Sequence, residues 1–362
     1  MPDPHFPSDG EGRYDGPFIA EVGGDLTSDR NKVEDVMKRN LLWAAVLAVA
    51  AAGLPRASDA ADAVKVVIPD NSVLVLNWMG AKEAGVFAKH NIDADIDVRP
   101  FAGYLASLPA KQTPATSYSG LDAIGKMNDG LDLQMIGGGL TVFQEVFVRK
   151  DSPIQTVADL KGKKFGVWAT GSGAFKTARV AMIDAAGVDV MKDATIVQLA
   201  PPALFKLLER GDIDAMLNIS TFSINATAQP DKYRAIFSPN DYWKKKTGYP
   251  LVFSSPLVAW ADWVKENPTR AKNFTAAAEE SFQWLENPAN FDTVVEKYGK
   301  LAGVTTPEAK TVYKKWLGEH KVFLSKWDQK VIDSQWKFLE LAKTHGVLDK
   351  VPSKKEHAIS LE

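Results

Sequence analysis

The residue types that most often carry chemistry are sparse in this chain. It contains no cysteine, which excludes disulfides, thiolate nucleophiles, cysteine-ligated zinc and iron–sulfur clusters. Its five histidines, His5, His90, His320, His345 and His357, do not pair with one another or with carboxylates at metal-ligand spacing. No HExxH, GxSxG, Walker A or GxGxxG pattern occurs, and the triple glycine at 137–139 matches no nucleotide fingerprint. The reading that follows is a protein that is not an enzyme, with no metal and no cofactor.

Polar, uncharged turns at the carboxyl ends of predicted strands remain as candidates, and this is where open α/β sheets bind small ligands. The turn Ala169-Thr170-Gly171-Ser172-Gly173-Ala174 lies between a predicted strand and a long helix. Its glycines admit close approach of backbone to ligand. Thr170 and Ser172 add hydroxyls, and the helix start offers unpaired N–H groups with partial positive charge. A small oxyanion would suit such a turn, although Thr170 or Ser172 could equally serve as a helix cap. A counterpart, Thr116-Ser117-Tyr118-Ser119-Gly120, again joins strand to helix with hydroxyls at the junction.

The elements that position these turns follow from periodicity. Residues 64–68 form a β-branched run suited to a buried parallel strand, and a helix is predicted over 80–90 with Ala81, Ala84, Phe87 and Ala88 on one face. A strand at 95–99, a helix at 104–110, a strand at 115–118 and a helix at 120–128 follow. After the apolar segment 146–149 and a polar turn at 150–153 the order repeats. A short helix at 157–160 is followed by strand 165–167, helix 174–186, strand 195–199, helix 202–210 and strand 213–217. Pro202 near the start and Gly211 past the end bound the last helix. The repeated alternation implies two lobes of similar topology, each built on a parallel sheet.

From Asn267 onward the pattern is helical. Asn267 stands as N-cap, Pro268 opens the first turn, and Phe274, Ala278, Phe282 and Leu285 form one apolar stripe. Further helices are predicted at 307–320 and 327–345, the latter stopped by Gly346. Trp284, Trp316, Trp327 and Trp336 read as packing residues of this scaffold.

Length and composition agree with this organisation. At 362 residues, with 45% hydrophobic and 24% charged, the chain is long enough for two domains and ordinary for a water-exposed globular protein. The net charge of -2 is uneven. Nine acids against three bases give residues 1–36 a charge of -6, residues 37–63 carry +1, and the remainder is therefore +3. Such a weak surplus argues against a nucleic-acid partner.

A targeting signal is legible at 37–63. Met37-Lys38-Arg39-Asn40 precedes the apolar run 41–54, which is short for a membrane span, and Pro55 and the small-residue stretch 57–63 offer cleavage sites after Ala61 or Ala63. Residues 1–36 then read as a disordered leader or a mis-assigned start, and 361–362 as a cloning remnant. Mature chain would begin near Asp62 or Val64.

Four further stretches carry a family resemblance: Ala81 to His90 with Asn91-Ile92-Asp93, Val148 to Ile154, Val157 to Lys163, and Arg210-Gly211-Asp212-Ile213-Asp214-Ala215. In order and spacing these resemble the periplasmic substrate-binding proteins of bacterial ABC importers, in the taurine, alkanesulfonate and nitrate branch that also includes thiamine-pyrimidine-synthase-like proteins. The resemblance implies an α/β, two-lobed periplasmic-binding-protein fold of type II, each lobe a mainly parallel sheet flanked by helices, with a helical C-terminal segment. Lobe 1 would comprise 64–148 and 252–360, lobe 2 would comprise 149–251, and the chain would cross near 146–150 and again near 251–258.

Carried over by position, the resemblance implies cleft residues at Asn77 and Trp78, at Ser117, Tyr118 and Ser119, at Thr170, Gly171, Ser172 and Gly173, and at Asn218 and Ser220. Trp78, Tyr118 and Trp168 could sandwich a ligand body, and Glu145 could meet an amine or face solvent. Relatives often have Val-Pro where this chain has Val167-Trp168, and an aromatic-x-Pro where it has Ile219-Ser220-Thr221. The implied function is a monomeric periplasmic receptor for a small organic anion, sulfonate- or carboxylate-like, handed to an inner-membrane ABC permease by hinge closure. The alternatives are a thiamine-pyrimidine-synthase-like enzyme or a ligand-sensing partner protein using the same cleft.

Overall fold

A computed structural model describes residues 61–361, so the expected leader and all but the last three residues of the expected signal segment lie outside the described residues. Strand β1 (Asp62–Pro69) leads into helix α1 (Leu74–Glu83), then β2 (Ile92–Arg99), α2 (Phe101–Ser107), β3 (Ala115–Ser117), α3 (Gly120–Asn128) and β4 (Leu133–Leu140). The second lobe holds β5 (Val146–Arg149), β6 (Lys164–Val167), α4 (Gly173–Ala186), β7 (Thr195–Gln198), α5 (Pro201–Arg210), β8 (Ala215–Leu217), α6 (Ser220–Thr227), β9 (Tyr233–Phe237) and α7 (Pro239–Thr247). The chain then returns through β10 (Ser255–Trp260), α8 (Ala261–Glu266), α9 (Pro268–Glu286), α10 (Pro288–Ala302), α11 (Pro307–Gly318), β11 (Phe323–Leu324) and α12 (Gln329–Thr344).

Both lobes are α/β, as expected, but their sheets are mixed rather than mainly parallel. In lobe 1, β1 and β2 pair in parallel, whereas β11-β4-β10-β3 is antiparallel throughout. The Thr113 and Thr116 hydroxyls donate to the Lys65 and Val67 carbonyls at 2.7 and 2.6 Å, so side chains fasten β3 to β1. In lobe 2 the order is β7-β6-β8-β5-β9, with β7, β6 and β8 parallel and β5 antiparallel to β8 and β9. The cause lies in the crossings. Strands β5 and β10 are where the chain enters one lobe from the other, at the edge where the βα units' strands end, so each runs against the neighbours it joins. Pairing of these strands also places the crossings at 141–145 and 248–254, just ahead of the expected positions.

The first helix starts at Leu74 rather than near residue 80. Its Leu74, Val75, Leu76, Asn77, Trp78, Gly80 and Ala81 are all buried, so no amphipathic period announces it. The triple glycine proves to be the end of β4, squeezed between two strands. A Cβ on Gly138 would fall 1.9 Å from the Leu324 carbonyl oxygen and one on Gly139 2.1 Å from that of Ser255. Asn267 occupies the N-cap of α9, but its side-chain amide donates to the Trp263 carbonyl at 3.0 Å instead of capping.

Lobe 1 is packed around Trp78, Phe87, Phe274, Phe282 and the faces of α9–α11. Lobe 2 has smaller clusters around Phe165 and Phe175 and around Phe147 and Leu204. Another cluster joins Val180 and Ala181 of α4 to Trp243 of α7 and Phe338 of α12, so α12 braces the second lobe. Trp316, Trp327 and Trp336 are buried and Trp284 packs against the core, the scaffold role read from the sequence.

Candidate functional site

A cavity of about 270 Å³ lies between the lobes. Lobe 1 contributes Pro69 at the end of β1 and Asp70 to Ser72 after it, Phe101 and Tyr104 of α2, Ser119 before α3, and Leu140 at the end of β4; lobe 2 contributes Trp168 after β6, Ser172, Gly173 and Ala174 at the start of α4, Pro201, Ile219 and Ser220. Gln144 from one crossing and Ser254 from the other, with Ser255 beside it, form the floor. The βα turns of both lobes thus face one space because their strands end there, the arrangement open α/β sheets use for ligands.

Of the eleven expected site residues, the structure brings Ser119, Ser172, Gly173 and Ser220 to this cavity. Asn77 and Trp78 are fully buried in α1, where Asn77 donates to Ser281 Oγ at 3.0 Å and Trp78 stacks on Phe87 with ring centroids 5.0 Å apart. Their helix begins earlier than expected, so the polar turn after β1 is Asp70-Asn71-Ser72 instead. Ser117 accepts from Trp78 Nε1 at 3.3 Å, and Tyr118 donates to the Leu105 carbonyl at 2.6 Å, both beneath the cavity wall. Thr170 is tied by its N–H and hydroxyl to Gln198 Oε1 at 3.1 and 3.0 Å, and Gly171 stands in open space beyond the cavity lining. Asn218 bonds the Pro201 carbonyl at 3.0 Å and the Ile219 N–H at 2.9 Å, holding two cavity residues in place without lining it.

Sequence reasoning missed Asp70, Phe101, Tyr104, Gln144, Ser254 and Ser255. Only Asp70 had a usable signal, a polar turn directly after the first strand. The others come from a helix, from the two crossings and from the start of β10, which no motif marks. Glu145 turns away from the cavity: it is ion-paired with Lys321 at 2.8 Å, and Lys321 also lies 3.5 Å from Asp241 of α7. Burial pushes the Glu145 carboxyl above its ordinary range despite the neighbouring lysine.

Electrostatically the lining is poor in positive charge. No lysine or arginine lines the cavity, and Asp70, which forms no ion pair with any described residue, is its one charged side chain. Burial raises the Tyr104 phenol well above its ordinary pKa, so it stays neutral. Two buried polar atoms of lining residues, Gln144 Oε1 and Trp168 Nε1, have no hydrogen-bond partner among the described residues. Among the described residues no group of acids and histidines could hold a metal ion, and no helix is long and apolar enough to cross a membrane.

The lobes touch around the cavity. Phe101 meets Trp168 edge-on with centroids 5.1 Å apart, Thr221 Oγ1 donates to the Asn71 carbonyl at 2.7 Å, and Lys176 lies 3.8 Å from Asp122.

The sequence profile described as NMT1/THI5 like matches residues 75–290, more than half of the chain. The chain belongs to the NMT1/THI5-like family. A Haemophilus influenzae protein named for thiamine biosynthesis is 25% identical over 303 residues, covering 82% of this chain and 90% of that protein. The nitrate/nitrite binding protein NrtA of Synechococcus elongatus is 27% identical over 181 residues, 46% of this chain and 39% of that protein. Among solved structures, the periplasmic aliphatic sulphonate binding protein SsuA of Escherichia coli superposes with a TM-score of 0.64 at 18% identity, covering 82% of this chain and 91% of that one. At such identity the likeness shows the fold, which is the two-lobed one the family resemblance implied.

Proposed function

We propose that this protein is the solute-binding receptor of an ABC importer, taking a small organic molecule into the interlobe cavity and presenting the closed form to an inner-membrane permease. The observation that carries the reading is a cavity lined by turns from both lobes and floored by both crossings. A solute touching both lobes there stabilises the closed arrangement by its differential affinity. The names of the NrtA and SsuA relatives support it. The basic, apolar and small-residue succession at 37–63 supports export to the periplasm, with everything before about residue 62 or 64 removed. The lining, with Asp70 and neither lysine nor arginine, argues against the small organic anion that the resemblance implies.

The relative named for thiamine biosynthesis favours an enzymatic second reading of the same cleft. The receptor reading is preferred because no histidine lines the cavity. Small-angle scattering of the mature protein with and without a solute confirmed by calorimetry tests it. A smaller radius of gyration on binding is expected, and an unchanged radius would leave a rigid pocket as the better account. Intact mass of exported material checks the processing, and a mature chain retaining residues 41–54 would overturn it.

A further inference from the structure

We infer that Lys321, which lies outside the cavity, is a positioning residue for solute capture: its ammonium joins the first crossing to the helix that feeds the second and, through that helix and α4, holds the lobes together around the cleft. The inference rests on the receptor reading, since it concerns the turning of the lobes, and assigns the balance of that turning to one cation.

Lys321 belongs to lobe 1, in the turn between α11 and β11, and its backbone is fixed there. Its N–H donates to the Trp316 carbonyl at 3.0 Å, and its own carbonyl accepts from the Thr141 hydroxyl at 2.5 Å. The Thr141 N–H in turn donates to the Val322 carbonyl at 2.9 Å, so the start of the first crossing is tied to this turn. The side chain is 15% exposed and lies over the Trp316 ring, 4.1 Å from its centroid. From there Nζ donates to Glu145 Oε1 at 2.8 Å, at the far end of the same crossing, and stands 3.5 Å from Asp241 Oδ2 of α7. One lobe 1 cation thus serves two carboxylates where the chain enters the second lobe and where it prepares to leave it.

The two carboxylates do different work. Glu145 adjoins Gln144 of the cavity floor, and a buried carboxylate with one close cation is costly to release, so this bond is the pin. Asp241 is 58% exposed and farther from the ammonium, which makes it the contact that yields when the lobe turns. Its helix does not move alone. The Tyr242 hydroxyl and the Lys246 ammonium donate to Asp184 of α4, while Trp243 Nε1 donates to Ser334 Oγ of α12 at 3.0 Å. Resting on α12 and bonded to α4, helix α7 passes a pull on Asp241 to α4, whose first residues line the cavity and meet Ser119 of lobe 1. Drawing Asp241 to Lys321 seats α4 against the opposite lobe without any contact to the solute.

The chain has no cysteine, so Asp95→Cys in lobe 1 and Lys161→Cys in lobe 2, both at exposed positions, take spin labels at those two places alone. Pulsed electron paramagnetic resonance on the mature protein then reads the interlobe distance with no solute present. Asp241→Asn keeps the side-chain shape and the Ser238 cap on its N–H, so folding is retained. It should raise the ratio of parted to closed molecules about 2- to 5-fold, the effect of a part-exposed ion pair. Lys321→Met should raise the ratio by about tenfold or more, and Lys321→Arg should return it toward wild type. Salt near 1 M, where the Debye length is about 3 Å, should move the wild type toward Asp241→Asn and leave that variant where it was. Lys314→Met, which removes an ion pair to Asp292 internal to lobe 1, should leave the ratio unchanged.

A ratio unmoved by Asp241→Asn and Lys321→Met, an equal shift in Lys314→Met, or Lys321→Arg behaving as Lys321→Met would each overturn the inference. Gly173→Ala crowds Ser119 and parts the lobes by a route that does not pass through Lys321. If it alone produces the longer distance, the clamp fails and the closing receptor stands. If no variant produces a second distance, the closing receptor itself falls.

Discussion

Gly173→Ala is the most discriminating substitution, because it acts where the two lobes approach. A Cβ at this position would stand 2.6 Å from Ser119 Oγ of the opposite lobe, 3.4 Å from the Leu121 nitrogen and 3.5 Å from Asp122 Oδ2. Ser119 Oγ cannot swing aside freely, since it donates to the Asp122 carboxylate. Overpacking of this kind costs about 1–3 kcal/mol when the surroundings hold. Here they can yield in one direction, by the lobes parting. In a parted form the new methyl meets solvent, and alanine favours the first turn of α4 over glycine by roughly 0.5–1 kcal/mol.

The substitution should therefore weaken solute affinity roughly 5- to 150-fold, the equivalent of that 1–3 kcal/mol, while the melting temperature without solute moves little. Calorimetry gives the affinity, and scattering at saturating solute should show incomplete compaction. Gly171→Ala is the internal control, two residues away in the same turn with nothing within 4 Å of its Cβ position, and should be neutral. Equal affinities for wild type, Gly171→Ala and Gly173→Ala would refute the argument that closure brings α4 onto Ser119. A large fall in the unliganded melting temperature for Gly173→Ala would refute it differently, by showing a contact that never opens.

Three further outcomes are expected. Ser172→Ala should cost about 1 kcal/mol in denaturant titration and leave affinity nearly unchanged, because Ser172 Oγ is committed to the Phe175 N–H at 3.2 Å and the Ala169 carbonyl at 2.9 Å. Asp189→Asn should destabilise by about 1–3 kcal/mol at neutral pH. Burial pushes the Asp189 carboxyl up, but the two 2.7 Å bonds from Arg179 and its charge outweigh this and hold the folded pKa below the ordinary value. That stabilisation is present above the unfolded carboxylate range and is lost as pH falls through the folded pKa, so the gap to wild type in urea melts should close in strong acid. Lys321→Met should leave the Glu145 carboxylate buried without its 2.8 Å partner and lower stability by about 1–3 kcal/mol near pH 8. Since Glu145 already titrates above its ordinary range, protonation relieves the charge and the deficit should shrink as pH falls toward 5, a trend pH-dependent thermal melts would read.

Where a βα unit has an amphipathic helix and a turn with small residues, its sequence announces it: α3 and α4 and the strands before them stand close to where periodicity put them. Elements buried on all sides gave no such signal. Helix α1 lacks a polar face, and β4 ends in glycines that look like a loop until neighbouring strands are seen to leave no space for side chains. Helices α6, α7 and α10 and strands β9 and β10 were likewise not foreseen, so a helical return to lobe 1 was expected without the strand that leads it. The site divides in the same way. Ser119, Ser172, Gly173 and Ser220 belong to strand–turn–helix junctions and were legible, whereas Gln144, Ser254 and Phe101 face the cavity through tertiary placement alone.

The division matters for mechanism, because the two groups of residues do different work if the lobes turn about 141–145 and 248–254. Gln144 and Ser254 lie on those crossings, one from each, 3.4 Å apart. Atoms at a pivot move least, so a solute bonded to Gln144 keeps that bond with the lobes parted or closed. By linkage such a contact raises affinity for both forms and shifts no population. Phe101 against Trp168, Ser119 against Gly173, and Thr221 on the Asn71 carbonyl stand away from the pivot and exist only when the lobes meet. Closure must draw its energy from these rim contacts and from whatever part of the solute Trp168 reaches. A molecule that satisfies the floor but is too short for Trp168 should therefore bind and fail to compact the protein, and one that spans floor and rim should do both.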